Sequence, residues 1–124
     1  VGGDLDVVAA AEGRLVYVEL KSSPPKHLSP PEVSAFYDRV RALRPDVTLF
    51  VVDTALRLGD RVIPLLDDVR RKRASGPVEP ARRIERELWA VTPHVFVVNA
   101  RPDLFGNVAR AIAEGFLALG PPPP

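Results

Sequence analysis

Asp6, Glu19 and Lys21 have the types and the spacing for chemistry on a phosphate. Residues 4–11 (DLDVVAAA) and 14–21 (RLVYVELK) read as two strands, and Glu12-Gly13 between them reads as a two-residue turn. With that turn Val8 faces Tyr17, Asp6 faces Glu19 and Asp4 faces Lys21. Directly opposed side chains lie about 4.5–5.5 Å apart at Cβ, and like charges there cost stability. A divalent cation between the two carboxylates would remove that repulsion. Mg²⁺ is typically held by one or two carboxylates, with waters and a substrate phosphate completing its octahedron. Lys21 lies about 6.6 Å along the strand from Glu19 on the same face, where an ammonium could neutralise negative charge developing on a phosphate. The same three residues would also serve as exposed edge charges, with Lys21 paired to Asp4 or Glu19.

The elements that must position these groups follow from periodicity. One face of the hairpin carries Leu5, Val7, Ala9, Val16, Val18 and Leu20, which calls for a covering helix layer. Ser29-Pro30-Pro31-Glu32 is a helix start, with a capping serine, proline at the first helical position and glutamate three residues after the cap. Val33, Phe36, Val40 and Leu43 recur at helical spacing, and Arg44 before Pro45 ends the run. Val47–Asp53 is almost wholly apolar, the pattern of a central strand covered on both sides. A second helix is expected from near Pro64 to Arg73, a loop over 74–80, and a short helix over 81–90 with Ile84, Leu88 and Val91 inward. A buried strand, Val95–Asn99, precedes a last helix from Asp103 to about Leu119, striped by Leu104, Val108, Ile112 and Phe116. Gly120 and the prolines at 121–124 read as a tail. The order β-β-α-β-α-α-β-α predicts an α/β sandwich, its mixed sheet beginning with an antiparallel hairpin and continuing with parallel strands.

Residues 3–23, GDLDVVAAAEGRLVYVELKSS, resemble the core motif of the PD-(D/E)XK nuclease superfamily, the restriction-endonuclease-like phosphodiesterases. The likeness is greatest to the small Holliday-junction-resolvase-like branch, where a Gly-Glu-Ile-Asp strand is followed by one ending Glu-Val-Lys. Leu5 stands where the family's naming proline would be. The resemblance puts Asp6 on the metal-binding aspartate, Glu19 on the second metal carboxylate and Lys21 on the catalytic lysine, with the Leu20 carbonyl a further metal ligand. It implies a three-layer restriction-endonuclease-like sandwich over 1–120, Mg²⁺ or Mn²⁺ as cofactor, and hydrolysis of a DNA phosphodiester. The alternative it leaves open is a nuclease-fold domain that no longer cuts and serves as a DNA-binding or protein-assembly module. The family's first helix would precede Val1, so the expectation is a domain lacking an N-terminal helix of a longer protein. Many nucleases of this kind pair to cut two strands, which allows a homodimer, although no stretch of the sequence identifies its seam.

Other residues carry less. Ser22, Ser23, Lys26 and His27 follow Lys21 in a proline-stiffened loop where any could touch a phosphate or merely lead into the Ser29 cap; His27 could protonate a leaving group. Asp53 ends its strand at the edge expected for Lys21, as a site residue or as a turn former. Arg70–Arg73 with Arg82 and Arg83 could track a DNA backbone or form a salt-bridged surface. Tyr37 and Trp89 are expected half-buried, and His94 structural. Among 124 residues, 46% are hydrophobic and 27% charged, which is a one-domain globular composition, and the net charge of +1 supplies no global pull towards nucleic acid. Fourteen of the 17 basic residues are arginine, a bias that genome composition explains as readily as phosphate binding. No cysteine is present, which excludes disulfides and thiolate metal sites and accords with a cytoplasmic protein. No apolar run reaches the length of a membrane span, so no membrane partner is expected.

Overall fold

The alternating segment at the start of the chain folds as the expected hairpin. A computed structural model of the protein describes residues 5–21 and 28–120. In it β1 (Leu5–Ala11) pairs antiparallel with β2 (Arg14–Lys21), Asp6 opposite Glu19 and Val8 opposite Tyr17. Glu12 and Gly13 both take positive φ, 54° and 75°, the pair of left-handed residues that a tight hairpin turn requires. The expected pairing of Asp4 with Lys21 lies outside the described residues, as do Ser22, Ser23, Lys26, His27 and the tail at 121–124.

The first helix, α1 (Pro30–Leu43), starts where the sequence indicates. The Ser29 hydroxyl accepts from the Glu32 backbone N–H at 3.4 Å and donates to the Glu32 carboxylate at 3.2 Å. The helix stops at Arg44, which turns left-handed (φ 50°) ahead of Pro45. β3 (Val47–Val52) then runs parallel to β2 with every residue buried. A loop with a short 3₁₀ turn, Leu58–Asp60, leads into α2 (Val62–Arg73). That helix begins two residues earlier than expected and places Pro64 in its first turn, where backbone N–H groups have no intrahelical acceptor and a proline costs nothing.

The segment 81–90 is not a helix. It forms β4 (Arg82–Glu85) and the start of β5 (Leu88–Thr92), joined through Arg86-Glu87, with Glu87 at φ 61°. Ile84 and Leu88 pack towards one side of the sheet and Val91 towards the other, so the three do not form one stripe. The aromatic and β-branched run Leu88-Trp89-Ala90-Val91-Thr92 is covered on both faces, and a strand with two apolar sides imitates helical spacing over a few residues.

β6 (Val95–Asn99) and α3 (Leu104–Leu119, capped by the Asp103 carboxylate) complete the fold. The sheet order is β1-β2-β3-β6-β5-β4, with β2, β3 and β6 parallel and the remaining pairs antiparallel. The protein is therefore α/β, a mixed six-stranded sheet with three helices. One core joins α1 and α2 to Tyr17, Phe50, Val52 and Val97; the other joins α3 to Val16, Leu49, Val51 and Val98.

The apolar hairpin face is covered only along β2. Val16 is buried and Val18 and Leu20 pack against the α3 core, whereas Val7 on the edge strand β1 is 41% exposed. The inward line of α3 likewise differs from the expected stripe. Ala111 and Gly115 are its buried residues, Val108, Ile112 and Phe116 flank them, and Leu104 is on the rim. A Cβ on Gly115 would lie 2.7 Å from Val47 Cγ1, so the helix rests directly on β3. Arg14 ties the other end of α3 to the start of β2, donating to the Gly120 carbonyl at 2.9 Å with its guanidinium 6.0 Å from the Phe116 ring centre. Among the described residues no helix is long and apolar enough to cross a membrane.

Candidate active site

Parallel pairing of β2, β3 and β6 brings their carboxyl ends level, because Lys21 aligns with Val52 and Val52 with Asn99. Functional groups in open α/β sheets collect at such an edge. Tyr17, Glu19 and Lys21 alternate onto one face of β2, the face covered by α1. Asp6 stands opposite Glu19 on the neighbouring strand and is exposed.

Glu19 is completely buried. A buried carboxylate needs charge-assisted partners, and three elements supply them. The Tyr17 hydroxyl, two residues back on the same strand, donates to Oε1 at 2.5 Å. Arg39, on α1, forks onto the carboxylate, Nε donating to Oε1 and Nη2 to Oε2, both at 2.8 Å. Lys21 Nζ lies 3.5 Å from Oε2. The cluster thus holds two acids, Asp6 and Glu19, and two bases, Lys21 and Arg39. Burial, reinforced by the hydrogen bond to Glu19, pushes the Tyr17 hydroxyl up to about 12. Burial by itself would lower Arg39, but the hydrogen bonds to Glu19 and Tyr17 and the Glu19 charge together outweigh it and hold the guanidinium above its usual value.

The donor chemistry suits a hard dication. Two carboxylates stand opposite each other across one strand pair, Asp6 open to solvent and Glu19 buried, and the charge balancing Glu19 comes partly from a guanidinium that is 39% exposed. Asp6 and Glu19 are the side chains that could hold such an ion. Leu20 lies between Glu19 and Lys21 with its side chain packed in the opposite core, which leaves only its carbonyl as a donor. Among the described residues no three His, Cys, Asp or Glu side chains cluster in the way a fuller metal site would require.

Several other expected residues have structural work. Asp53 at the end of β3 pairs with Arg101 at 2.5 Å. Arg70, Arg71, Lys72 and Arg73 pair with Asp67, Asp68 and Asp38, which makes that run the salt-bridged surface. Tyr37 is half-buried and donates to the Leu66 carbonyl at 2.9 Å; burial raises its pKa. Trp89 is half-buried, and His94 is exposed in the turn before β6.

Comparison with known proteins finds no matching family model, curated protein or solved structure.

Two of the site's members, Tyr17 and Arg39, belong to no motif in the sequence. Tyr17 shares the face of Glu19 at strand spacing, so the hairpin register already contained that signal. Arg39 follows Phe36 by three residues and so lies beside the inward line of α1; that the helix would carry it over Glu19 depends on the packing of helix on sheet. A third group, Asn99, likewise belongs to no motif. Asn99, at the end of β6, is buried, donates to Glu87 Oε2 at 2.7 Å and to the Thr54 carbonyl, and accepts from the Thr54 and Arg101 backbone N–H groups. It fixes the loop after β3 against the β4–β5 turn and frames a cleft at the same edge of the sheet, two strands from the hairpin site.

Proposed function

We propose that this protein hydrolyses DNA phosphodiester bonds at the open end of the β1–β2 hairpin, as a metal-dependent nuclease domain with the restriction-endonuclease-like fold, acting in the cytoplasm. The observation that carries the reading is the strand register, which sets Asp6 against Glu19 with the Lys21 ammonium 3.5 Å from the Glu19 carboxylate. Opposed acids on an edge hairpin are costly unless their charge is used.

Asp6 and Glu19, with the Leu20 carbonyl, would hold Mg²⁺ or Mn²⁺. Such an ion supplies a more acidic bound water and polarises a phosphoryl oxygen. Lys21 balances the negative charge that accumulates on the phosphate as water adds and the alcohol leaves. Tyr17 donates to Glu19 and fixes the orientation of its carboxylate. Arg39 provides a second positive charge beside the reacting group.

A second reading rests on a different observation. Glu19 is fully buried and both its oxygens are engaged by Arg39 and Tyr17, a state that also suits a nuclease-fold module that binds DNA without cutting it.

A nicking assay on supercoiled DNA with Mn²⁺ or Mg²⁺ separates the two. The hydrolytic reading expects metal-dependent nicking that falls at least ~100-fold in Asp6→Ala and in Lys21→Ala, each checked for native circular dichroism. Nicking that survives both substitutions, or none from the folded wild-type protein with either metal, refutes it. Retained DNA binding in the second case supports the module.

A further inference from the structure

The carboxyl edge of the sheet holds a second feature, two strands away from the hairpin site. A cleft of about 780 Å³ opens between the loop after β3, the β4–β5 turn and the start of the segment after β6. That volume lies in the range of small-ligand clefts, enough for one or two nucleotide units. Its floor is Trp89, packed so closely on Gly59 that a Cβ there would lie 3.1 Å from the indole. Its walls carry Arg57, Arg83, Arg86 and Arg101 against two carboxylates, Asp60 and Glu87.

The charges are not equivalent. Glu87 is already used, accepting from Asn99 Nδ2 at 2.7 Å and from the Leu58 backbone N–H at 3.4 Å. Arg101 is held by Asp53. The guanidiniums of Arg57, Arg83 and Arg86 make no ion pair or hydrogen bond among the described residues. The basic run on α2 differs, since each of its members is paired with an aspartate. Three uncommitted guanidiniums converging on one concave surface form a phosphate-binding arrangement, because the arginine fork matches phosphate oxygens and this side chain cannot neutralise itself by losing a proton.

Spacing links the cleft to the hairpin. Lys21, Val52 and Asn99 are in register on three neighbouring strands and face the same side of the sheet. Two inter-strand spacings amount to about 10 Å, roughly three nucleotide rises at 3.4 Å each. One strand of nucleic acid lying along this edge would reach both places.

We propose that the cleft binds the phosphodiester backbone of a single DNA strand through Arg57, Arg83 and Arg86, holding the strand a few nucleotides from the bond at the hairpin. The assignment extends the hydrolytic reading by naming a strand-binding site, but its test needs no catalysis. Binding of a short, labelled single-stranded DNA of mixed sequence is measured in EDTA at several salt concentrations. Each phosphate contact on a single strand contributes about 0.7 to the slope of log K against log salt. The triple variant Arg57→Ala, Arg83→Ala, Arg86→Ala should therefore lose about 2 from that slope and bind at least ~10-fold more weakly. Should the triple variant not fold, Arg86→Ala alone should lose about 0.7. Arg71→Ala with Lys72→Ala, on the outer face of α2, should leave the slope unchanged.

An unchanged slope in the cleft variants, or an equal loss in the α2 control, overturns the proposal. So does full displacement of the DNA by a mononucleotide at equal phosphate concentration, which would make the cleft a mononucleotide site. Failure of nicking with an intact slope effect removes the hydrolytic reading and leaves the cleft. Nicking with no slope effect does the reverse.

Discussion

The Glu19 carboxylate is the group on which the site depends most, and its partners make separate predictions. Arg39→Ala leaves a buried anion with only Tyr17 and Lys21. Loss of one partner from a buried pair costs about 3–5 kcal/mol, and the partial exposure of Arg39 places the expected cost near the lower end, about 3 kcal/mol. Glu19→Gln in the same chain should restore a large part of that stability in urea titrations, since the neutral amide no longer needs a guanidinium; no recovery in the double variant would mean the cost lies in packing. Tyr17 acts through pH. Its folded value of about 12 is above the ordinary 10, so the unfolded chain releases the proton first as pH rises. The stabilisation is complete below pH 10 and declines between pH 10 and about 12. Tyr17→Phe should cost about 1–2 kcal/mol at neutral pH, and its deficit against the wild type should shrink across that alkaline window.

At the scale of elements, the parts that were legible in the sequence are those governed by local rules. The register of the hairpin follows from a two-residue turn and period-two alternation, and the α1 start follows from Ser29, two prolines and Glu32. The second half of the sheet was not legible in the same way. β5 is apolar on both sides, so Leu88 and Val91 have the spacing of a helix while facing opposite layers, and only strand pairing with β6 settles the matter. Arg39 is not legible for a related reason, since its contact with Glu19 depends on where α1 lies over β2. The contact of α3 with β3 carries a prediction of its own. Gly115→Ala places a methyl 2.7 Å from Val47, and overpacking at a rigid contact costs about 1–3 kcal/mol. A compensating Val47→Ala should recover part of it, as read by thermal unfolding.

For the whole molecule, protection should follow position in the sheet. β3 and β6 are buried along their full length between two helix layers, whereas residues 6–10 of β1 are all exposed. Amide hydrogen exchange should be slowest in β3 and β6, approaching global unfolding there, and fastest in β1 and β4 at the two edges. Slow exchange along β1 would mean the hairpin rim is covered by something other than this chain. The clasp between Arg14 and the end of α3 has a practical consequence as well. Arg14 and Lys21 are at opposite ends of β2, about 23 Å apart at strand rise, so the polypeptide leaves Gly120 from the rim remote from Glu19. A fluorophore or affinity handle joined downstream of Gly120 starts far from the Glu19 cluster, which makes that position the natural place to tether the protein when the proposed DNA binding is to be watched.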